Sequence, residues 1–279
     1  MTEEKRLKLN RLQHLLPRGG IVDAAWLEAN GYSSNLRSYY LSKNWLISPS
    51  RGAYALPGTK INWEAVVYSL QSILDKPLLV GGRTSLELQG YRHYVRMGKK
   101  GIVHIYAEGK LPSWATKLNL ETEFALHQTT RLFPKGDLCA AFDNIKNRNE
   151  TLPAKDTSIT EHVWSAAEQP IYISTPERAI LELLDEVPNK ESFHQADVVF
   201  QSLTTLRPKK LERLLLACKS IKVKRLFLWF AHRHNHAWLK HLNEDAFDLG
   251  SGKRVIAQGG KLDTRYMITI PEESAYGDI

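Results

Sequence analysis

The residues of this chain that could do chemistry fall into a few short stretches. Glu108-Gly109-Lys110 ends an apolar run, and a Glu-x-Lys at a strand end is half of the Mg²⁺-binding set of restriction-type nucleases. Its partner aspartate is not convincing, because the nearest upstream candidate, Asp75, falls at an expected helix end. Leu249–Arg254, LGSGKR, offers glycines and a lysine to a phosphate. A phosphate loop, however, needs a further glycine upstream and a Ser or Thr where Arg254 stands. His232, His234, His236 and His241 form the only histidine-rich spot, yet a zinc hydrolase needs a Glu beside its first His. Gly81-Gly82 also lacks phosphate-loop spacing. No catalytic set is complete, so no catalytic residue, cofactor or metal is expected. A metal-dependent nuclease is the alternative.

A different chemistry is visible in Ser33–Leu46, SSNLRSYYLSKNWL. With Leu36, Tyr39, Tyr40 and Leu46 turned inward, a helix here exposes Ser34, Asn35, Arg37, Ser38, Ser42 and Lys43. Ser33 or Ser34 is the expected N-cap, and Asn44 is expected to close the helix in a left-handed conformation. That outer face carries hydroxyls, an amide and two cations without a carboxylate. A face directed at DNA cannot carry carboxylates, because each would repel the phosphates. The candidate DNA contacts here are Ser33, Ser34, Asn35, Arg37, Ser38, Ser42 and Lys43: hydroxyls contact phosphate, Arg37 can grip a guanine edge, and Asn35 can pair with adenine.

The elements around this helix must position it. Leu7, Leu9, Leu12, Leu15 and Leu16 give a first helix by spacing, stopped by Pro17–Gly20. Ile21–Gly31 reads as a second helix with Ile21, Ala24, Ala25 and Leu27 inward and Asn30-Gly31 as its stop. After the third helix, Trp45–Ile47 and Ala53–Leu56 flank Ser48–Gly52 as a hairpin. Three helices and a hairpin is the order of a winged helix-turn-helix, with Arg51 at the wing tip placed for phosphate or the minor groove. Charge agrees: residues 1–60 hold nine Lys/Arg against four Asp/Glu, +5 of the chain's +8. A local cationic excess is the footprint of a polyanion.

At 279 residues and 43% hydrophobic, two domains are expected, a winged helix over 1–60 and a larger one over 61–279. The chain has no 18-residue apolar run and no apolar leader, and its two cysteines, Cys139 and Cys218, have no ligand-like spacing. These features point to a cytoplasmic globular protein with no membrane partner. In the middle, Gly101–Ala107, Lys117–Phe124 and Asp137–Phe142 read as strands, followed by a polar loop over Asn144–Ser158. Helical periodicity runs from Pro176 to about Leu242. Lys253–Gln258 and Arg265–Ile270 read as a terminal hairpin turning through Gly259–Asp263. The fold class is α+β (mixed α/β).

Thr175 reads as an N-cap with Pro176 at the first helical position, and Ala179, Ile180, Leu183 and Leu184 as a buried stripe. Arg178–Glu182 then reads as a minor i,i+4 pair. Arg207–Arg225 carries eight Lys/Arg and one Glu. It reads as a surface helix whose Lys209, Lys210, Lys222 and Lys224 either solvate it or make a second basic contact.

The chain resembles the AbiEi antitoxins of type IV bacterial toxin–antitoxin systems. The wing sequence SRGAYAL begins the resemblance, and Pro77–Val95, Ile173–Pro188 and Val223–Pro271 continue it in the same order. The resemblance implies an N-terminal domain that represses its own operon by binding promoter repeats in double-stranded DNA. It also implies a C-terminal domain that counters a nucleotidyltransferase-like toxin, without necessarily forming a stable complex with it. The toxin's own Gly-Ser…Asp-x-Asp pattern is absent here.

Overall fold

Leu9, Leu12 and Leu16 face inward at helical spacing and pin the first helix, α1 (Glu3–Leu15), while Leu7 and Leu15 point to solvent. The computed structural model describes residues 3–17, 19–91, 100–146, 158–164 and 170–272. Arg18, most of the polar loop expected over Asn144–Ser158, and the end of the Pro77–Val95 segment lie outside these residues.

Ile21–Asp23 is not the start of the second helix but a strand, β1, paired antiparallel with Ala53–Ala55. The β-branched pair Ile21-Val22 suits a strand, and both side chains are buried. Asp23 then caps α2 (Ala24–Ala29), its carboxylate accepting the Trp26 N–H at 2.8 Å. Gly31, at φ +90°, ends α2, with Tyr32 N–H donating back to the Leu27 carbonyl. α3 (Ser34–Ser42) begins one turn later. The wing follows as β2 (Ile47–Ser50) and β3 (Ala53–Ala55), and the sheet order is β1-β3-β2. β2 is therefore an edge strand, which is why it tolerates Pro49. The order α1-β1-α2-α3-β2-β3 thus holds the three helices and the hairpin expected from sequence, with β1 added to the hairpin.

β1 and the wing pack against the chain beyond residue 60. Ile21, Ala53 and Ala55 share one core with α4 (Trp63–Tyr68), Leu78, Val80, Val103, Ile105 and Ile173. The Ile21 N–H donates to Ser69 Oγ at 2.8 Å, and Ser50 Oγ donates to the Trp114 carbonyl at 3.0 Å.

That shared core lies under a five-stranded sheet of order β6-β5-β4-β8-β7. Its strands are β4 (Leu78–Val80), β5 (Gly101–Ala107), β6 (Thr122–Gln128), β7 (Ile159–His162) and β8 (Ile171–Ser174). β5–β6 and β4–β8 run parallel, and the other two pairings are antiparallel. β5 has the bounds expected from sequence. The strand expected at Lys117–Phe124 starts late, after a 3₁₀ turn at Ala115–Lys117.

Asp137–Phe142 is a helix, not a strand: α6 spans Asp137–Lys146. Leu138, Phe142 and Ile145 sit at helical spacing and bury against Leu79 and Ile159. A short apolar run leaves the two periods indistinguishable until a neighbour is present.

The other face holds α5 (Gly82–Leu88), α7 (Pro176–Glu186), α8 (Phe193–Ser202), α9 (Pro208–Ala217) and α10 (Ile221–His234) around one large helical core. α7 begins at Thr175–Pro176 as expected, although the Thr175 hydroxyl makes no cap bond. The chain closes with an antiparallel pair, β9 (Lys261–Asp263) and β10 (Ile268–Ile270). The expected hairpin is thus displaced: the Asp263 carboxylate accepts the Tyr266 N–H, and the chain turns between Asp263 and Ile268 rather than through Gly259–Asp263. Arg254–Ala257 lies alongside β10 through backbone bonds to Met267 and Thr269.

Candidate nucleic-acid interface and the buried charge network

α3 is held by its apolar side. Tyr40 is fully buried, and Tyr39 and Tyr40 each meet the Trp45 ring with centroids 5.7 Å apart. Ser33 is the N-cap, its Oγ accepting the Leu36 N–H at 3.4 Å. Asn44 takes φ +54°, and Trp45 and Asn44 N–H groups return to the Tyr40 and Leu41 carbonyls, closing the helix C-terminus. Ser34, Asn35, Ser38, Ser42 and Lys43 are exposed, as is Arg51 in the wing turn ahead of Gly52 at φ +88°.

Arg37 is a correction. It is only 7% exposed. Its guanidinium donates to the Tyr32 carbonyl at 2.9 Å and to Glu28 Oε1 at 2.8 Å, and it lies over the Tyr54 ring. A side chain so bound clips α2 to α3 and the wing instead of standing on the exposed face of α3.

The basic run Arg207–Arg225 is corrected for the same reason. Lys210 and Lys224 are buried, and of the four lysines proposed as a second contact only Lys209 is exposed. Lys222 Nζ donates to the Asp185 and Val187 carbonyls at 2.6 and 2.8 Å, satisfying the C-terminus of α7. Burial lowers its ammonium pKa, partly countered by Asp185. Arg207 pairs with Glu177, and Arg225 donates to the Leu249, Gly252 and Met267 carbonyls. The LGSGKR stretch is therefore a loop gathered around Arg225 and leads into no helix.

α7 explains the Ile173–Pro188 motif. Arg178 is fully buried, with Nε on Glu182 at 2.9 Å, Nη1 on Asp137 at 2.9 Å and on Ser158 Oγ at 3.0 Å, and its plane over Phe133. The i,i+4 pair expected to be minor is thus a buried ion pair. Glu182 Oε2 also accepts the Gly82 N–H and the Ser174 hydroxyl, both at 2.8 Å. This carboxylate occupies the place at the N-terminus of α5 that a phosphate takes in a nucleotide loop. Gly81 is glycine because a Cβ there would overlap Glu182 and the Tyr106 ring.

A second polar chain crosses the sheet. His104 Nδ1 and His127 Nε2 are 3.0 Å apart, and His127 Nδ1 lies 3.0 Å from Glu186 Oε1, which is also 5% exposed. Burial, then the neighbouring His127 and Arg83, lowers the His104 pKa to about 4. Burial raises Glu186, but hydrogen bonds from His127 and Lys190 outweigh it and bring the group to about 2. Between its ordinary value of 6.5 and about 4, the unfolded chain takes up a proton that folded His104 refuses. Stability is thus intact above that window and falls as pH drops through it. Below 4.5, Glu186 adds a loss that is complete near pH 2. We expect urea melts to show a loss on the order of 2 kcal/mol between pH 7 and pH 5, and His104→Gln to flatten that slope.

The remaining stretches have separate partners. Glu108 accepts the Gly136 N–H with both oxygens, and Asp75 lies in the turn before β4 with φ +53°. His232 pairs with Glu244, His234 with Asp197, and His236 with the Phe200 carbonyl, at the end of α10 where Asn235 is left-handed. His241 ends the 3₁₀ turn that follows.

Residues 5–97 match the family model described as transcriptional regulator, AbiEi antitoxin N-terminal domain, and residues 100–271 match that of the transcriptional regulator, AbiEi antitoxin, type IV TA system. The chain belongs to the AbiEi family of type IV antitoxins and transcriptional regulators. In this AbiEi chain the two matches meet between β4–α5 and β5, so the five-stranded sheet takes β4 from the first match and four strands from the second. The crystal structure of the RV2827C protein from Mycobacterium tuberculosis is similar in fold. It has 15% identity and a TM-score of 0.53, covering 96% of this chain and 91% of that one. No curated protein matches the chain significantly. Among the described residues no helix is long and apolar enough to cross a membrane.

Proposed function

We propose that this AbiEi protein represses its own operon by binding promoter repeats with the winged helix of residues 1–60. On this reading, residues 61–279 counter a nucleotidyltransferase-like toxin in the cytoplasm, and neither role uses a catalytic step. The observation that carries the proposal is the outer face of α3. Ser34, Asn35, Ser38, Ser42 and Lys43 are exposed there with no carboxylate among them, and Arg51 is exposed on the wing. Hydroxyls, an amide and cations suit a duplex, where phosphate contacts set the register and base edges set the sequence.

The bond of β1 to Ser69 and that of the wing to Trp114 tie this region to the larger domain. The test therefore uses the full chain. Gel shifts on the DNA upstream of its operon, with Mg²⁺ present, should show retarded, intact duplex. Lys43→Ala and Arg51→Ala should each weaken binding to all sequences and reduce the salt slope by about one contact. Cells expressing the neighbouring toxin should be rescued by the full chain and by both variants. Cleaved DNA would instead support a nuclease, and unaltered binding by both variants would remove this face from the interface.

A further inference from the structure

We propose that Asn35 reads adenine in the operator and that α3 makes no guanine-specific contact. This inference rests on the DNA-binding reading above. A recognition helix meets base edges with the residues of its N-terminal half. In α3 the exposed residues of that half are Ser34, Asn35 and Ser38.

Each side chain offers a different vocabulary. Guanine presents two acceptors, N7 and O6, to the major groove and is read by the paired donors of Arg or by Lys. The one guanidinium on α3, Arg37, already donates to Tyr32 and Glu28 and is buried. Lys43 lies beyond the last helical residue, at the end away from the reading half. Cytosine is read by a carboxylate accepting from N4, and the helix has none. Adenine presents an acceptor at N7 and a donor at N6, the complement of one carboxamide. Asn35 supplies that carboxamide and, among the described residues, has no protein partner for it, in contrast to Arg37. Ser34 and Ser38 can donate or accept, so they add contact without discrimination.

The wing is compatible with A·T pairs beside that adenine. A·T tracts have a narrow minor groove whose negative potential attracts an inserted Arg, and Arg51 is exposed in the tight wing turn.

The test is selection of duplexes by the full-length protein from a pool carrying a randomised segment within the promoter fragment. The wild type should enrich adenine at one position of each half-site. Asn35→Ala should lose that preference by about ten- to a hundredfold, with an unchanged salt slope and an unchanged melting curve. Asn35→Gln should keep adenine, and Asn35→Arg should move the preference at that position towards guanine. Selection of guanine at the α3 contact by the wild type, or an unchanged preference in Asn35→Ala, overturns the proposal while leaving DNA binding intact. Retention of no duplex by the wild type at low salt overturns both readings together.

Discussion

Arg178→Met should destabilise the protein by about 3–5 kcal/mol, the usual consequence of leaving a buried charge without its partner. Arg178 is fully buried at the meeting point of α7, α6 and the segment that carries Ser158. Methionine fills most of the volume over Phe133 but donates nothing to Glu182, Asp137 or Ser158. Glu182 would then keep only the Gly82 N–H and the Ser174 hydroxyl. Urea denaturation at pH 7 measures the loss as a lower midpoint at constant slope. Adding Glu182→Leu should recover part of it, because a buried pair replaced on both sides by apolar groups costs less than half a pair. Recovery should stay incomplete, since the leucine leaves the N-terminus of α5 without its acceptor. A midpoint shift corresponding to less than about 1 kcal/mol for Arg178→Met, the scale of an exposed pair, would show that the pair is not sealed from water.

The second large effect concerns the lysines of the basic run. If Lys209, Lys210, Lys222 and Lys224 lay on a solvated face, changing all four to Gln would barely affect stability. In the folded chain the quadruple variant should instead melt well below the wild type. Lys222→Gln alone should cost about 1.5–3 kcal/mol, the range for hydrogen bonds that involve a charged group. Its ammonium is what satisfies the Asp185 and Val187 carbonyls at the end of α7. Lys209→Gln, on an exposed side chain, should be neutral for folding. Thermal melts of the three variants separate these outcomes. Equal melting of Lys222→Gln and wild type would mean that water replaces the ammonium at no cost. Loss of promoter binding or of toxin rescue by the quadruple variant reports unfolding, so Lys209→Gln is the informative variant for a second DNA contact.

Much of the local architecture was legible in the amino-acid order because its causes are local. The Ser33 cap, the left-handed Asn44, the Gly31 stop, the Thr175-Pro176 helix start and the strand Gly101–Ala107 each depend on residues within a turn or two. The exposed polar face of α3 was also legible, except at Arg37. Two elements were misread where a short apolar stretch fits both periods. Ile21–Asp23 became a strand because β3 was there to pair with it, and Asp137–Phe142 became a helix because Leu79 and Ile159 buried its Leu138–Phe142 stripe.

What only the tertiary structure decided is where the long charged side chains go. Periodicity tells which side of a helix is apolar, but not what a guanidinium or ammonium on a flexible stem can reach. Arg37, Lys222 and Arg225 each find backbone carbonyls on other elements. Arg178 and Glu182, four residues apart, were recognisable as a pair from their spacing. Their burial was not, because it requires β8, α5 and α6 to close over α7. The chain's own order thus determined a helix, α3, whose outer face carries hydroxyls and an amide without a carboxylate. Packing determined which of the chain's cations stay exposed, because a buried backbone carbonyl without a donor is costly and a nearby cation is the donor that can reach it.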